Sequence, residues 1–234
     1  MTYKERLDKR AFDEPRPITA KAGVIKRAAG SGYFKIGNTE AYAAVYGPRE
    51  LHPKFLQNPK KGVLRCNYNM LPFAGPGSRS RPGPNRRAKE ISHVTEKALS
   101  PVINLDDVPN AVVDVFIELP DADAGSRCAG ICAASIALAD AGFKMKDMVV
   151  AIGVGKVGDQ VLVDLSYNEE NPSWGDEAVD IPIAIVPSTG EITLLQLDGV
   201  ISKDDVIKAI EFGKPAYEKI AQAQREALLK KYQE

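Results

Sequence analysis

Cysteine is scarce: three residues, an odd number, cannot build a disulfide framework and point to a reducing compartment. Cys128 and Cys132 stand one helical turn apart, but nothing nearby completes a zinc site, so the cysteines read as small buried residues. Histidine is scarcer still, with only His52 and His93, and no nucleophile elbow accompanies either. A Ser-His-Asp triad therefore has no support. The chain has no phosphate-loop Gly-Lys-Ser/Thr motif, and the glycines of 153–158 lead into a strand pattern instead of a helix, which discounts a nucleotide fingerprint. No apolar run approaches the ~18 residues of a membrane span. The polar start, Met1 to Arg6, lacks the apolar core of a signal peptide, so the expected location is cytoplasmic. Net charge of either sign is absent too, with 31 basic and 31 acidic residues.

What is present suits a soluble globular protein: 44% hydrophobic and 26% charged residues. The charges are sorted along the chain. Residues 49–90 carry a net +8 and residues 101–200 a net −13. A basic block in a neutral chain suggests an anionic partner met at one place, unless the fold mixes the two signs over its surface.

Residues 1–17 are charged, contain Pro15 and Pro17, and read as an extended arm. Strands are predicted at 20–28, 31–37, 40–46 and 62–71, where β-branched and aromatic residues are punctuated by glycine. Four prolines and three glycines make 72–85 a loop. A helix follows over 86–99, a strand over 111–119 and a helix of small residues over 126–141. Strands near 148–156, 160–166, 181–187 and 191–198 lead to helical residues 202–232, broken at Pro215. The class is α+β, in two β-rich halves with packed helices and no separating linker.

Three clusters carry chemistry. Asn85 is a good N-cap, which places Arg86 and Arg87 in a first helical turn whose dipole opposes cations. Either an anion docks there or the side chains fan into solvent. Second, Asp123-Ala-Gly125-Ser126-Arg127 precedes the small-residue helix. Gly125 permits close approach, Ser126 can cap and offer a hydroxyl, and Arg127 offers a fork for phosphate oxygens. Third, 164–180 is an acidic loop ending at Asp180, whose carboxylates can act as general acid or hold a metal, or can simply be solvated.

Taken together, Ala44-Val-Tyr-Gly-Pro-Arg-Glu50, Asn67-Tyr-Asn-Met70, Arg81-Pro-Gly-Pro-Asn-Arg-Arg87, Asp121-Ala-Asp-Ala-Gly-Ser-Arg127, Val163-Asp-Leu-Ser166 and Asp180-Ile-Pro182 stand in the order of one family. The chain resembles the RNase PH superfamily, most closely the catalytic RNase PH-like subunits of archaeal exosomes, over about residues 15–232. The resemblance implies a single RNase PH-like domain over 18–234 behind the arm at 1–17. It implies a phosphate-dependent 3′→5′ exoribonuclease that releases nucleoside diphosphates from single-stranded RNA. By that likeness Gly125, Ser126 and Arg127 bind inorganic phosphate, and Arg86 and Arg87 hold the RNA 3′ end. Arg65, Arg79 and Arg81 guide the strand, and Asp180 holds Mg²⁺ or assists proton transfer. The implied partners are a paralogous non-catalytic subunit in a hexameric ring and RNA-binding cap subunits.

Two departures from the family pattern stand out. The family has an Asp where this chain has Asn171, which cannot act as an acid; Glu169, Glu170 or Asp176 would have to replace it. Asp8-Lys9-Arg10 stands where the family often has Asp-Gly-Arg. The first departure keeps open an inactive RNA-binding scaffold subunit. A homohexameric enzyme trimming tRNA 3′ ends is a further alternative.

Overall fold

The structure is a computed structural model that describes residues 3–76, 81–83, 85–171 and 177–233. Its first half is a five-stranded sheet. Strands β1 (Ile18–Ala22), β2 (Gly30–Ile36) and β3 (Thr39–Glu50) form an antiparallel meander, and β5 (Ala111–Asp121) pairs with β3. Strand β4 (Val63–Met70) joins the edge parallel to β5. That crossover is made by α1 (Arg86–Leu99), which packs on β4. A parallel pair needs such a connection. The second half is an antiparallel sheet in the order β7-β6-β8-β9. Its strands are β6 (Val150–Val157), β7 (Gln160–Val163), β8 (Ala178–Val186) and β9 (Glu191–Leu195).

Helix α2 (Ser126–Asp140) lies between the two halves and touches strands of both. Every residue of it except Arg127 and Ala139 is buried. Its small side chains allow this, and so do glycines on the facing strand. A Cβ at Gly30 or Gly32 would collide with the α2 backbone at Ala137 and Ala141 or at Ala133. One continuous apolar core results, running from Phe34 and Val115 through Ile131 and Ile136 to Ile152 and Ile183. Helices α4 (Lys203–Phe212) and α5 (Lys214–Gln233) close the far side, where Tyr217 and Ile220 enter the same core.

The α+β class and the RNase PH-like architecture agree with the sequence reading, and the differences are local. The first strand stops at Ala22 because Gly23 turns the chain at φ +72°. The helical break falls at Gly213, and Pro215 sits inside the first turn of α5, where its missing N–H would have had no partner. The acidic loop contains a one-turn helix, α3 (Tyr167–Glu170), closed by a capping box between Ser166 and Glu169.

The arm has no helix or strand among its described residues, yet Tyr3, Arg6 and Arg16 are buried. Lys9 turns it with φ +63°, the conformation that glycine takes without strain. Lys9→Gly is therefore expected to stabilise the fold, by up to about 1 kcal/mol, as a rise in the denaturation midpoint with unchanged m-value. No gain would show that the arm turn contributes nothing to global stability.

Candidate active site

Strands β4 and β5 end side by side at Met70 and Asp121, and α2 begins five residues after β5. The loops at this edge face the middle of β8 across a cavity of about 560 Å³. Arg87, Gly125, Ser126, Arg127, Glu170 and Asp180 all line it.

The α2 end is built for an anion. Ala124 (φ +61°) and Gly125 (φ +63°) are both left-handed, and Gly125 is the N-cap. Ser126 is thus the first helical residue and not the cap that its side chain suggested. No side chain caps the helix. Gly125, Ser126 and Arg127 line the cavity, which places the positive end of the helix dipole at its wall. Arg127 is held from behind: Nη1 donates to Gln196 Oε1 and lies 3.8 Å from Glu90, while Gln196 Nε2 donates to Glu90 Oε1 at 2.7 Å. Arg87 enters from the first turn of α1, where Asn85 accepts from the Ala88 N–H at 2.8 Å and no acid offsets the charge. Burial pushes the Tyr68 phenol up, while Ser126 and the charges of Arg87 and Arg127 oppose it.

The opposite wall is acidic. Asp180 pairs through its backbone with Asp198, N–H to O at 3.0 and 2.9 Å, which brings a second carboxylate close. Burial pushes Asp180 up to about 6; Arg127 opposes this and Asp198 adds to it. Glu170 is pushed up to about 7 by burial and by the charge of Asp180, with the Gly125 amide, Arg16 and Arg87 pulling the other way. Two carboxyl groups that stay partly protonated near neutrality can supply or hold a proton.

The structure sorts the acidic candidates. Glu169 is buried and points away from the cavity, accepting from Arg6 at 2.8 and 2.9 Å and from Tyr3 at 3.0 Å. Burial would raise it, but Arg6 holds it below the usual carboxylate range. It cannot take the place of Asn171. Glu170, the next residue, does line the cavity, and so does Asn171. Asp176 and Arg79 lie outside the described residues.

Three of the arginines are not brought into the cavity. Arg86 and Arg81 are exposed and absent from its lining. Arg65 stands five residues before Met70 on β4, about 16 Å away by strand rise. It forms a bidentate pair with Asp114, at 2.6 and 3.1 Å. Cys128 lines the cavity as a thiol that burial keeps well above its ordinary pKa, and all three cysteines are free and buried.

Residues 14–144 match domain 1 of the 3′ exoribonuclease family, and residues 147–216 match its domain 2. The chain belongs to this family. The exosome complex component Rrp41 of Pyrococcus abyssi is 48% identical over 227 residues, covering 97% of this chain and 89% of its own length. The Rrp41 component of Methanopyrus kandleri is 47% identical, with 97% and 93% covered. Among solved structures, rice Rrp46 superposes with a TM-score of 0.82 at 26% identity, covering 94% of this chain and 98% of its own. A chain of the Archaeoglobus fulgidus exosome with RNA bound to the active site gives 0.77 at 25% identity, with 93% and 92% covered. Family membership bears out the expected RNase PH-like fold and the 3′ exoribonuclease class.

Sequence reasoning missed the roles of Gln196 and Glu90, which hold Arg127 from outside the cavity, and of Asp198, which the fold of this exoribonuclease brings to the cavity wall beside Asp180. Single polar residues at such places leave no periodic signal.

The raised acids set a direction for stability. In the folded chain Asp180 titrates near 6, above the ordinary 3.8, so the folded state holds more protons between those values. Its contribution is fully favourable below the unfolded pKa and is lost as pH rises through the folded one. Asp180→Asn is expected to gain about 1 kcal/mol at pH 4.5 and about 3 kcal/mol by pH 8, the latter a rise in Tm of roughly 6–12 °C. Thermal melts at both pH values decide it; equal shifts would show that Asp180 is not held against its charge.

Proposed function

We propose that this chain is the catalytic subunit of an exosome-type ring and shortens single-stranded RNA from its 3′ end by phosphorolysis. One observation carries the reading: a single cavity joins an uncapped helix N-terminus and two arginines to two carboxyls with raised pKa. The reaction brings two anions together and needs a proton for the leaving oxygen.

Gly125, Ser126 and Arg127 would bind inorganic phosphate, through backbone N–H groups, a hydroxyl and a planar fork. Arg87 would hold the terminal phosphodiester, while the exposed Arg86 could meet RNA only outside the cavity. An oxygen of the phosphate bonds to that phosphorus, and the bond to the 3′ oxygen of the preceding nucleotide breaks. The 3′ oxygen takes the proton carried by Glu170 or Asp180. A nucleoside diphosphate and an RNA one residue shorter result. Catalysis here is positioning plus neutralisation of charge.

Mg²⁺ fits the acidic wall. Asp180 raises Glu170 by like-charge repulsion, which a cation would relieve. No group of three or more metal-ligating side chains occurs among the described residues. Mg²⁺ is commonly held by one or two carboxylates, with water and phosphate completing its shell. Asp180 would hold it, leaving Glu170 to carry the proton, and when bound it would offset charge on the phosphoryl oxygens.

A paralogous ring subunit and RNA-binding caps are the proposed partners. Large apolar side chains at the surface support protein contacts, with Phe55 84%, Phe73 72% and Val200 88% exposed. The cytoplasm is the proposed compartment; no helix among the described residues is long and apolar enough to cross a membrane. Glu170 in the cavity favours an active subunit over a scaffold, because it supplies the carboxyl that Asn171 lacks.

The test is RNA labelled at its 3′ end, incubated with Mg²⁺ and the chain, alone and with its paralogue, with and without phosphate. Phosphate-dependent release of nucleoside diphosphate is expected. Nucleoside monophosphate without phosphate would mean hydrolysis, and RNA binding without release would mean a scaffold. A stable, active homohexamer of the chain alone would favour the tRNA-trimming enzyme. Arg127→Ala should lower kcat/KM for phosphate by about 10²–10³. Arg87→Ala should weaken RNA binding and reduce its salt slope by about 0.7.

A further inference from the structure

The N-terminal arm carries three arginines into the fold, and two of them are buried. Their partners lie on the two loops that wall the cavity. Arg16 grips Asp164 with its backbone N–H at 2.7 Å, its Nε at 2.8 Å and its Nη2 at 2.7 Å. Its remaining arm, Nη1, donates to the backbone carbonyl of Asp123. One guanidinium thus joins the end of β7 to the turn before α2. Arg6 adds bonds to the carbonyls of Val163 at 2.8 Å and Asp164 at 2.7 Å, and to Glu169. Asp123 also accepts from the Tyr167 N–H at 3.2 Å, so the two loops are stitched directly as well.

The turn that Arg16 holds needs holding. Ala124 is a non-glycine residue at φ +61°, and Asp164 sits at φ +56°. Such residues persist only where the surroundings over-determine them. The turn is fixed on its other side by Thr39, whose Oγ1 donates to Ala124 O at 2.7 Å and accepts from Asp123 N–H at 2.9 Å. If the turn relaxed, Gly125 and Ser126 would lose their places in the cavity wall, and the Gly125 amide its bond to Glu170. Arg16 is absent from the cavity lining and is paired with Asp164, so it acts on the site by holding the turn and, through its charge, by lowering Glu170.

We infer that the arm is a positioning strap of the active site, and that the Arg16–Asp164 pair, opposed by Thr39, holds the turn before α2 in its phosphate-binding form. The inference rests on the proposed phosphate role of Gly125, Ser126 and Arg127, and it makes Arg16, Asp164 and Thr39 positioning residues of that reaction. A lysine at position 16 keeps the charge but cannot reach Asp164 and the Asp123 carbonyl with one planar group. Thr39→Val keeps the shape and removes both hydroxyl bonds.

The experiment is steady-state phosphorolysis by the full chain in its active assembly, with phosphate varied at saturating RNA, alongside RNA binding without phosphate. Arg16→Lys, Arg16→Gln, Thr39→Val and Arg127→Ala are compared well below each melting temperature. Arg16→Lys and Thr39→Val are expected to raise KM for phosphate at least fivefold, with RNA affinity within twofold of the parent. Arg16→Gln should raise it further, and if that variant does not fold the first two decide. A lowered Tm with unchanged KM for phosphate in both would overturn the strap and leave a purely structural ion pair. If Arg127→Ala itself leaves KM for phosphate unchanged, the phosphate-site reading falls and the strap falls with it. An equal loss of RNA affinity and phosphate affinity would also overturn it, since the turn would then not be the element held.

Discussion

A helix buried on all sides imposes the geometry of this molecule. Helix α2 shields its side chains between two sheets, so it must be made of small and apolar residues, and its neighbours must offer glycine where backbones meet. Burial of the flanks leaves the ends as the places where unpaired peptide groups can face something polar. At the N-terminus the cap residue has no side chain to perform that service; Gly125 brings the chain in left-handed, its N–H meets Glu170, and the first turn opens to the cavity. The same packing that makes the core thus leaves a concentrated positive pole beside the edges of both sheets. Everything else in the site is arranged around that pole: Arg127 reinforces it, Arg87 faces it from α1, and the carboxyls of β8 and α3 close the far side.

The charges follow a consistent logic. Arginine in the first turn of α1 is unfavourable toward the helix dipole, and Arg127 stands in the first turn of α2 in the same way. Both helices tolerate it at one cavity, where an anion would reverse the sign of the interaction. The acidic wall mirrors this, since Asp180 and Glu170 are buried enough to resist ionisation. A site that is strained toward cation on one side and toward neutral acid on the other is relieved by bound phosphate groups. The neutral total charge of the chain hides this separation, which exists in sequence as a basic block and an acidic block.

Much of this was legible in the sequence, for identifiable reasons. Helix starts carry local signals, so Asn85-Arg86-Arg87 and Gly125-Ser126-Arg127 are recognisable as anion candidates from the sequence. The alternation of Leu64, Cys66 and Tyr68 marked β4. What escaped depends on contacts between distant segments. The arm read as extended and polar, because arginine buried at positions 6 and 16 is indistinguishable in sequence from arginine in solvent. Asp164 and Glu169 read as members of an acidic loop, although both are buried ion-pair partners of that arm. Arg65 read as a guide for RNA, and its pairing with Asp114 arises from a parallel register that only the sheet reveals. Gln196 and Glu90 take part because β9 ends opposite α1.

Residues 169–171 show how a short helix can divide chemistry among neighbours. Successive residues on a helix point about 100° apart. In α3 this turns Glu169 toward the arm, where Arg6 and Tyr3 consume its lone pairs, and turns Glu170 toward Asp180. Asn171 follows as the C-cap, its amide donating to the Tyr167 carbonyl at 3.2 Å. Two adjacent glutamates in the same acidic run therefore end in opposite states, one held ionised by a guanidinium and one pushed toward its neutral form. The capping box at Ser166 fixes that phase, because Glu169 serves both the cap and Arg6 and cannot rotate into the cavity without losing both. An acid at 170 is thus fixed by the arm on the other side of the helix, which ties the carboxyl opposite Asp180 to the same segment that holds the turn before α2.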